Sequence, residues 1–169
     1  MSRTVNDSRI RHYFKFIDSP VGRLKLVASA EGLAAILWEN DREARVRLNL
    51  VAENPAHPVL LTAEQQLREY FEGRRTSFDL KLDVAGTEFQ KKVWSALLGI
   101  PFGETRSYAQ LASQLKAPAA VRAVGAANGR NPVSIVVPCH RVIGADGSLT
   151  GFAGGLERKA YLLNHEHRA

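Results

Sequence analysis

The hydrophobic period of this 169-residue chain changes once, near Ala85-Gly86. Before that point apolar and polar residues tend to alternate, which is the period of strands. Beyond it apolar residues recur every three or four positions, the period of helices. Two periods imply two cores, and apolar residues, 45% of the chain, suffice to build one in each half. The expected class is therefore α+β. Residues 1–85 are expected to form a small α/β domain around a mostly antiparallel sheet, and residues 86–169 a mainly helical domain.

In the first half, "HYFKFIDSP" and "GRLKLVASAEG" read as strands closed by turn residues, and "LAAILWEN" as a third. "DREARVRLNLVAEN" fits helix and strand equally. Thr62 with Gln65 has the spacing of a capping box opening a helix that runs to Gly73, and "TSFDLKLDV" alternates again. In the second half, Thr87 with Gln90 and Ser107 with Gln110 form two further capping boxes, and Pro101 stops the first of these helices. Pro118 suits the first turn of another helix, "PAAVRAVGAAN", for which Gly129 is a natural residue just past the end. A short helix, a brief turn and a second helix match a helix-turn-helix, though an ordinary packed pair has the same spacing. The second helix is mostly alanine and glycine, with Arg122 its only charge. Small side chains permit close approach, either to a neighbouring helix or to a groove of DNA.

The formal net charge of +6 is uneven: residues 1–85 carry +1 and residues 86–169 carry +5. A basic half favours a polyanionic partner, but a soluble domain with no specific use for its charge is equally compatible. No window spans a bilayer and the N-terminus lacks a signal-peptide pattern, so a cytoplasmic protein is expected. The single cysteine, Cys139, excludes an intrachain disulfide and a multi-cysteine zinc site.

Cys139 lies in "IVVPCHRVIG", where Val133–Val137 reads as a buried extended segment ended by Pro138. A buried thiol can be an inert small hydrophobe. A nucleophilic one needs a base and a group to orient it, and His140 stands adjacent with "NHEHRA" at the C-terminus. In an extended segment neighbours point apart, so a bridging water is a better link than direct contact. After the Asp146-Gly147 turn, "GFAGG" is a flat-sided glycine segment that could wall a pocket for a planar ring or form a plain wing.

"GRNP" and "PCHRV", followed by "GFAGGLERKAYLLNHE" and preceded by "GTEFQKKVW", "IPFGETRSYAQLA" and "AVRAVGAANGRNP", closely resemble the O6-alkylguanine-DNA alkyltransferases (methylated-DNA–protein-cysteine methyltransferases). The resemblance covers essentially all of residues 86–169; the first half matches in outline through "IDSPVGRL" and "LREYFEG". It implies a ribonuclease-H-like N-terminal domain and a winged-helix-like C-terminal domain with the helix-turn-helix and the reactive cysteine. The implied reaction is direct-reversal DNA repair: an alkylated guanine is flipped from the duplex and its O6-alkyl group passes, irreversibly and once, to Cys139. The resemblance implies His140 as the base acting through a water, Glu166 as its orienting carboxylate, and Asn131 as a tie between recognition helix and active-site turn. It further implies Tyr108 as hydrogen-bond donor to the departing base, Arg122 as the side chain entering the vacated stack from the minor groove, and Phe152 as the ring beside the base. Backbone groups of Cys139, Val142 and Ala153 would read the base edge.

Many relatives carry tyrosine at Phe152 and some carry serine at Ala153, so pocket size and substrate range are open while the chemistry is not. No cofactor and no metal site are expected, because the lone cysteine is the acceptor. The expected partner is double-stranded DNA bearing O6-alkylguanine, bound by a protein that is a monomer in solution. Alkyl size, O4-alkylthymine and cooperative binding are left open. Rival readings are a non-repairing DNA-binding relative, against which Cys139 counts, and a thiol hydrolase, which would need no helix-turn-helix.

Overall fold

The computed structural model describes residues 9–167. The chain divides into two compact units, residues 1–86 and 87–169, and the architecture is α+β. Among the described residues no helix is long and apolar enough to cross a membrane.

The first unit contains strands β1 (His12–Ile17), β2 (Leu24–Ala28), β3 (Leu33–Leu37) and β4 (Leu50–Glu53) and helix α1 (Pro58–Phe71). The sheet order is β3-β2-β1-β4, antiparallel except for the β1–β4 pair. The ambiguous segment after β3 resolves into a 3-10 turn at Glu43–Arg45 and strand β4. Leu24, Leu26 and Ala28 are buried as alternation requires, but so is Val27. It packs with Ala34 and Ala35 under Phe14, Leu37, Val46 and Leu48. Both faces of the central strands are thus covered, one by this loop and the other by α1, whose Leu60, Ala63, Leu67 and Tyr70 are buried.

Helix α1 begins a turn earlier than the Thr62–Gln65 spacing suggests. Pro58 fills the first helical position and the His57 imidazole Nδ1 accepts from the Val59 N–H at 3.2 Å. Thr62 therefore lies inside the helix and its hydroxyl donates back to the Pro58 carbonyl at 3.0 Å. Gly73 ends the helix with φ +77, as expected. "TSFDLKLDV" does not form a strand. Among the described residues its ladder contact is a parallel bridge between Leu82 and Leu33. The buried Gln66 side chain bonds both the N–H and the carbonyl of Asp79, each at 2.9 Å, replacing a strand partner. Gly32 permits the close passage of this segment: a Cβ there would sit 2.6 Å from the Lys81 carbonyl oxygen.

In the second unit, α2 (Glu88–Leu98) and α3 (Tyr108–Gln114) open with the two expected capping boxes, both reciprocal. A 3-10 turn at Pro118–Ala120 leads into α4 (Val121–Gly129). The α3–α4 pair is a helix-turn-helix whose turn places Lys116 at φ +59. Gly129 is the last helical residue rather than the residue beyond it, and Arg130 caps the helix with ordinary φ. The Trp94 indole of α2 donates to the Ala127 carbonyl at 2.8 Å and ties α2 to α4. Strands β5 (Arg106–Ser107) and β6 (Val142–Ile143) pair in parallel, and helix α5 (Leu156–His167) closes the unit.

Candidate active site around Cys139

The segment leading to Cys139 is buried but not extended. Val133 to Val137 folds into a tight turn in which Val136 N–H bonds Ser134 O and Val137 N–H bonds Val133 O, each at 2.9 Å. Its tip, Ile135, has φ +76. A β-branched residue in the left-handed region costs on the order of 1–3 kcal/mol and persists only where its surroundings over-determine it. Asn131 supplies that constraint. Its amide nitrogen donates to Val137 O at 2.8 Å and its oxygen accepts from Val133 N–H at 3.0 Å, so one buried side chain clamps both arms of the turn. Beyond Pro138, Cys139–Arg141 form a 3-10 turn, and Cys139 is buried at its start. The extended delivery of the thiol expected from the apolar run is thereby corrected: prolines, clamp and turn bend the chain back within a few residues.

His140 is fully buried, and its Nε2 lies 2.7 Å from Glu166 Oε2 on α5. Glu166 also takes a forked pair of bonds from Arg141, Nε to Oε1 at 2.8 Å and Nη2 to Oε2 at 2.9 Å. The remaining Arg141 nitrogen, Nη1, donates to the Ile100 carbonyl at 2.7 Å. A carboxylate so paired stays ionised and can accept the His140 Nε2 proton, which leaves Nδ1 as the basic nitrogen. Nδ1 is buried and has no hydrogen-bond partner among the described residues.

Burial pushes the His140 pKa below its usual 6.5, against the opposing pull of the Glu166 hydrogen bond and charge. In the unfolded chain the same ring takes its proton near pH 6.5. The unfolded state therefore binds more protons below that pH, and stability falls as pH drops from about 6.5 toward the folded value, by up to about 1.4 kcal/mol per pH unit. Thermal melts of the protein at pH 5.5 and pH 7.5 are expected to show the lower midpoint at pH 5.5, with a smaller difference in His140→Gln.

Two buried side chains that sequence reading passed over complete the floor. Lys159 of α5 is fully buried, with Nζ donating to the carbonyls of Val142 at 2.5 Å and Thr150 at 2.9 Å. Burial pulls its pKa down from 10.5 to about 8, opposed by the charge of a Cys139 thiolate. Asn128 at the end of α4 donates to the Cys139 carbonyl at 3.4 Å. Arg141, also missed, stood beside His140 in "PCHRV" but carried no signal of its own.

The remaining candidates sit at the edge of this floor or on the helix-turn-helix. Tyr108 is the first residue of α3; its hydroxyl oxygen accepts from the Thr150 hydroxyl at 3.0 Å. Its ring lies along α4 at Gly125, where a Cβ would stand 3.7 Å from the ring carbons. Val142 is buried, Phe152 half-buried and Ala153 exposed. Arg122 is exposed on α4 beside Val121, Ala123 and Ala126, and makes no hydrogen bond or ion pair with another described residue. The fold thus brings His140, Glu166 and Asn131 to the cysteine turn, and leaves Arg122 on the outer face of the second helix.

Two family models match the chain. Residues 12–84 match the ribonuclease-like domain of 6-O-methylguanine DNA methyltransferase, and residues 88–168 match the DNA-binding domain of the same protein. A methylated-DNA–protein-cysteine methyltransferase of Mycolicibacterium paratuberculosis is 50% identical over 155 residues, covering 92% of each chain. One from Methanosarcina acetivorans is 46% identical over 154 residues, 91% of this chain and 97% of that one. Among solved structures, Mycobacterium tuberculosis OGT in complex with DNA matches with a TM-score of 0.84 at 46% identity, over 94% of this chain and 93% of that one.

Proposed function

The chain belongs to the 6-O-methylguanine DNA methyltransferase family, and from that premise we propose that Cys139 is its single-use alkyl acceptor, served by His140, Glu166, Asn131 and Tyr108. The observation that carries this reading is the His140 ring: Nε2 is tied to Glu166, which Arg141 also holds, and Nδ1 is buried without a hydrogen-bond partner among the described residues, in the residue that directly follows Cys139. Through a water, Nδ1 takes the thiol proton. The thiolate then attacks the alkyl carbon on guanine O6. The S–C bond forms, the C–O bond breaks, and the electron pair stays on the guanine. Glu166 stabilises the imidazolium that results, as in other base–carboxylate pairs. Tyr108 donates to the base as its negative charge develops. A soft thiolate suits attack at carbon, and the thioether product has no route back, so each protein acts once.

The partner is DNA, and the proposed substrate is duplex DNA with O6-alkylguanine, bound by a monomeric, cytoplasmic protein. Residues 86–169 hold the DNA-binding and acceptor functions, and residues 1–85 form the accompanying domain. The small exposed residues around Arg122 on α4 support close approach to the minor groove. In this reading the Phe152 ring stands beside the flipped base, and backbone groups of Cys139, Val142 and Ala153 read its edge.

The test is direct. After incubation with an O6-methylguanine duplex, mass spectrometry of the Cys139 peptide is expected to find one methyl group and the DNA to regain guanine. An unmodified Cys139 peptide rejects the proposal, and repeated turnover favours a hydrolase. Arg122→Ala is expected to slow repair of the duplex roughly 10- to 100-fold, since filling the vacated stack offsets an unstacking cost of a few kcal/mol. Its reaction with a free O6-alkylguanine base should be unchanged.

A further inference from the structure

We propose that Thr150 is a positioning residue for the transfer step, its hydroxyl holding the Tyr108 phenol so that the phenol proton is left for the departing base. The proposal rests on the reading of Tyr108 as donor to that base. A phenol has one proton to give and lone pairs with which to accept. Thr150 Oγ1 lies 3.0 Å from the Tyr108 oxygen and occupies its accepting side. A hydroxyl that accepts a hydrogen bond is also a better donor, because the two bonds polarise each other. One edge of its ring runs along α4 at Gly125, where the absence of a side chain leaves room for it.

Thr150 lies in a loop containing Gly147, Gly151, Gly154 and Gly155, a composition that would leave its hydroxyl loosely placed. The Lys159 ammonium removes that freedom. It bonds the Thr150 carbonyl and, from the same nitrogen, the carbonyl of Val142, which follows the cysteine turn. A continuous set of contacts therefore runs from α5 through Thr150 to the start of α3, and it sets the phenol in register with Cys139. Threonine suits the place better than serine because its branched Cβ restricts χ1.

Single-turnover methyl transfer from an O6-methylguanine duplex, at saturating protein, tests this in the wild type, Thr150→Val, Thr150→Ser, Tyr108→Phe and the Tyr108→Phe/Thr150→Val double variant. Valine keeps the shape and removes the donor, so Thr150→Val is expected to transfer about five- to tenfold more slowly, the usual scale of one lost hydrogen bond. Duplex affinity and melting temperature should stay near wild type. Thr150→Ser is expected to recover the rate to within about twofold, since the donor is restored. The double variant is expected to be no slower than Tyr108→Phe alone, which a merely structural role for Thr150 would not produce. A Thr150→Val protein at the wild-type rate, or a double variant slowed by the product of the single effects, overturns the proposal. If Tyr108→Phe itself reacts at the wild-type rate, the reading of Tyr108 fails and Thr150 falls with it. A slow Tyr108→Phe beside a full-rate Thr150→Val removes the Thr150 proposal alone.

Discussion

Cys139→Ser is expected to reduce alkyl transfer by on the order of 10⁴ or more, leaving DNA binding intact. The substitution changes one buried atom and little volume, so the turn held by Asn131 should survive it. What changes is the nucleophile. A serine hydroxyl is far less acidic than a thiol, so far less of it is present as the anion that attacks the alkyl carbon. Oxygen is also the harder, less polarisable partner for an alkyl carbon. A gel assay of binding to an O6-methylguanine duplex, beside a transfer assay on the same duplex, separates the two functions. The expected result is tight binding with no repaired guanine. A Cys139→Ser protein that repairs at a measurable fraction of the wild-type rate would place the acceptor elsewhere.

Glu166→Gln should show the second-largest effect, and it should damage rate and stability together. The carboxylate serves two cationic or proton-bearing partners at once, His140 and Arg141, all three nearly excluded from water. An amide can still accept from His140 Nε2, but it cannot neutralise the guanidinium. Leaving a buried charge without its partner costs about 3–5 kcal/mol, which corresponds to a fall in melting temperature on the order of 10 °C. Transfer is expected to slow by roughly 10²- to 10³-fold, because the imidazolium formed in the reaction loses its counter-charge. The two effects come apart in the Glu166→Gln/Arg141→Met double variant. Removing the guanidinium removes the unpaired charge, so stability should recover in part while the rate stays low. A rate that recovers with stability would mean that Glu166 serves only the fold.

The elements that announced themselves in the sequence are those specified locally. The capping boxes at Thr87 and Ser107 depend on residues three apart, and both formed. The strands β1 to β3 follow from alternation and turn residues. Misreadings arose where a distant group intervened. Gln66, thirteen positions from Asp79, took the backbone bonds that "TSFDLKLDV" would have given a strand. Pro58 and His57 moved the start of α1 ahead of Thr62. Asn131 bent a run of valines and isoleucine that composition alone makes a strand. At the site, the identities of Cys139, His140, Asn131, Tyr108 and Glu166 came through resemblance to a family, while their assembly is a matter of tertiary structure. Lys159 had a faint local signal: with Leu162 and Glu166 it occupies the inward stripe of α5, a place where charged residues need partners. Nothing in the sequence near Thr150 points to Tyr108, forty-two residues away.

The His140–Glu166 contact joins residues twenty-six positions apart, and Arg141 reaches Glu166 across twenty-five. Glu166 also stands in the last turn of α5, where a carboxylate opposes the helix dipole and the turn would fray without Arg141 to hold it. Helix end and active site therefore form together or not at all. Until they do, Cys139 is an ordinary thiol, no more prone to alkylation than any free cysteine. Folding therefore arms a reagent that can be spent only once: a nascent or unfolded copy carries a thiol of ordinary reactivity, and the finished molecule alone has the His140–Glu166 pair set beside its cysteine turn.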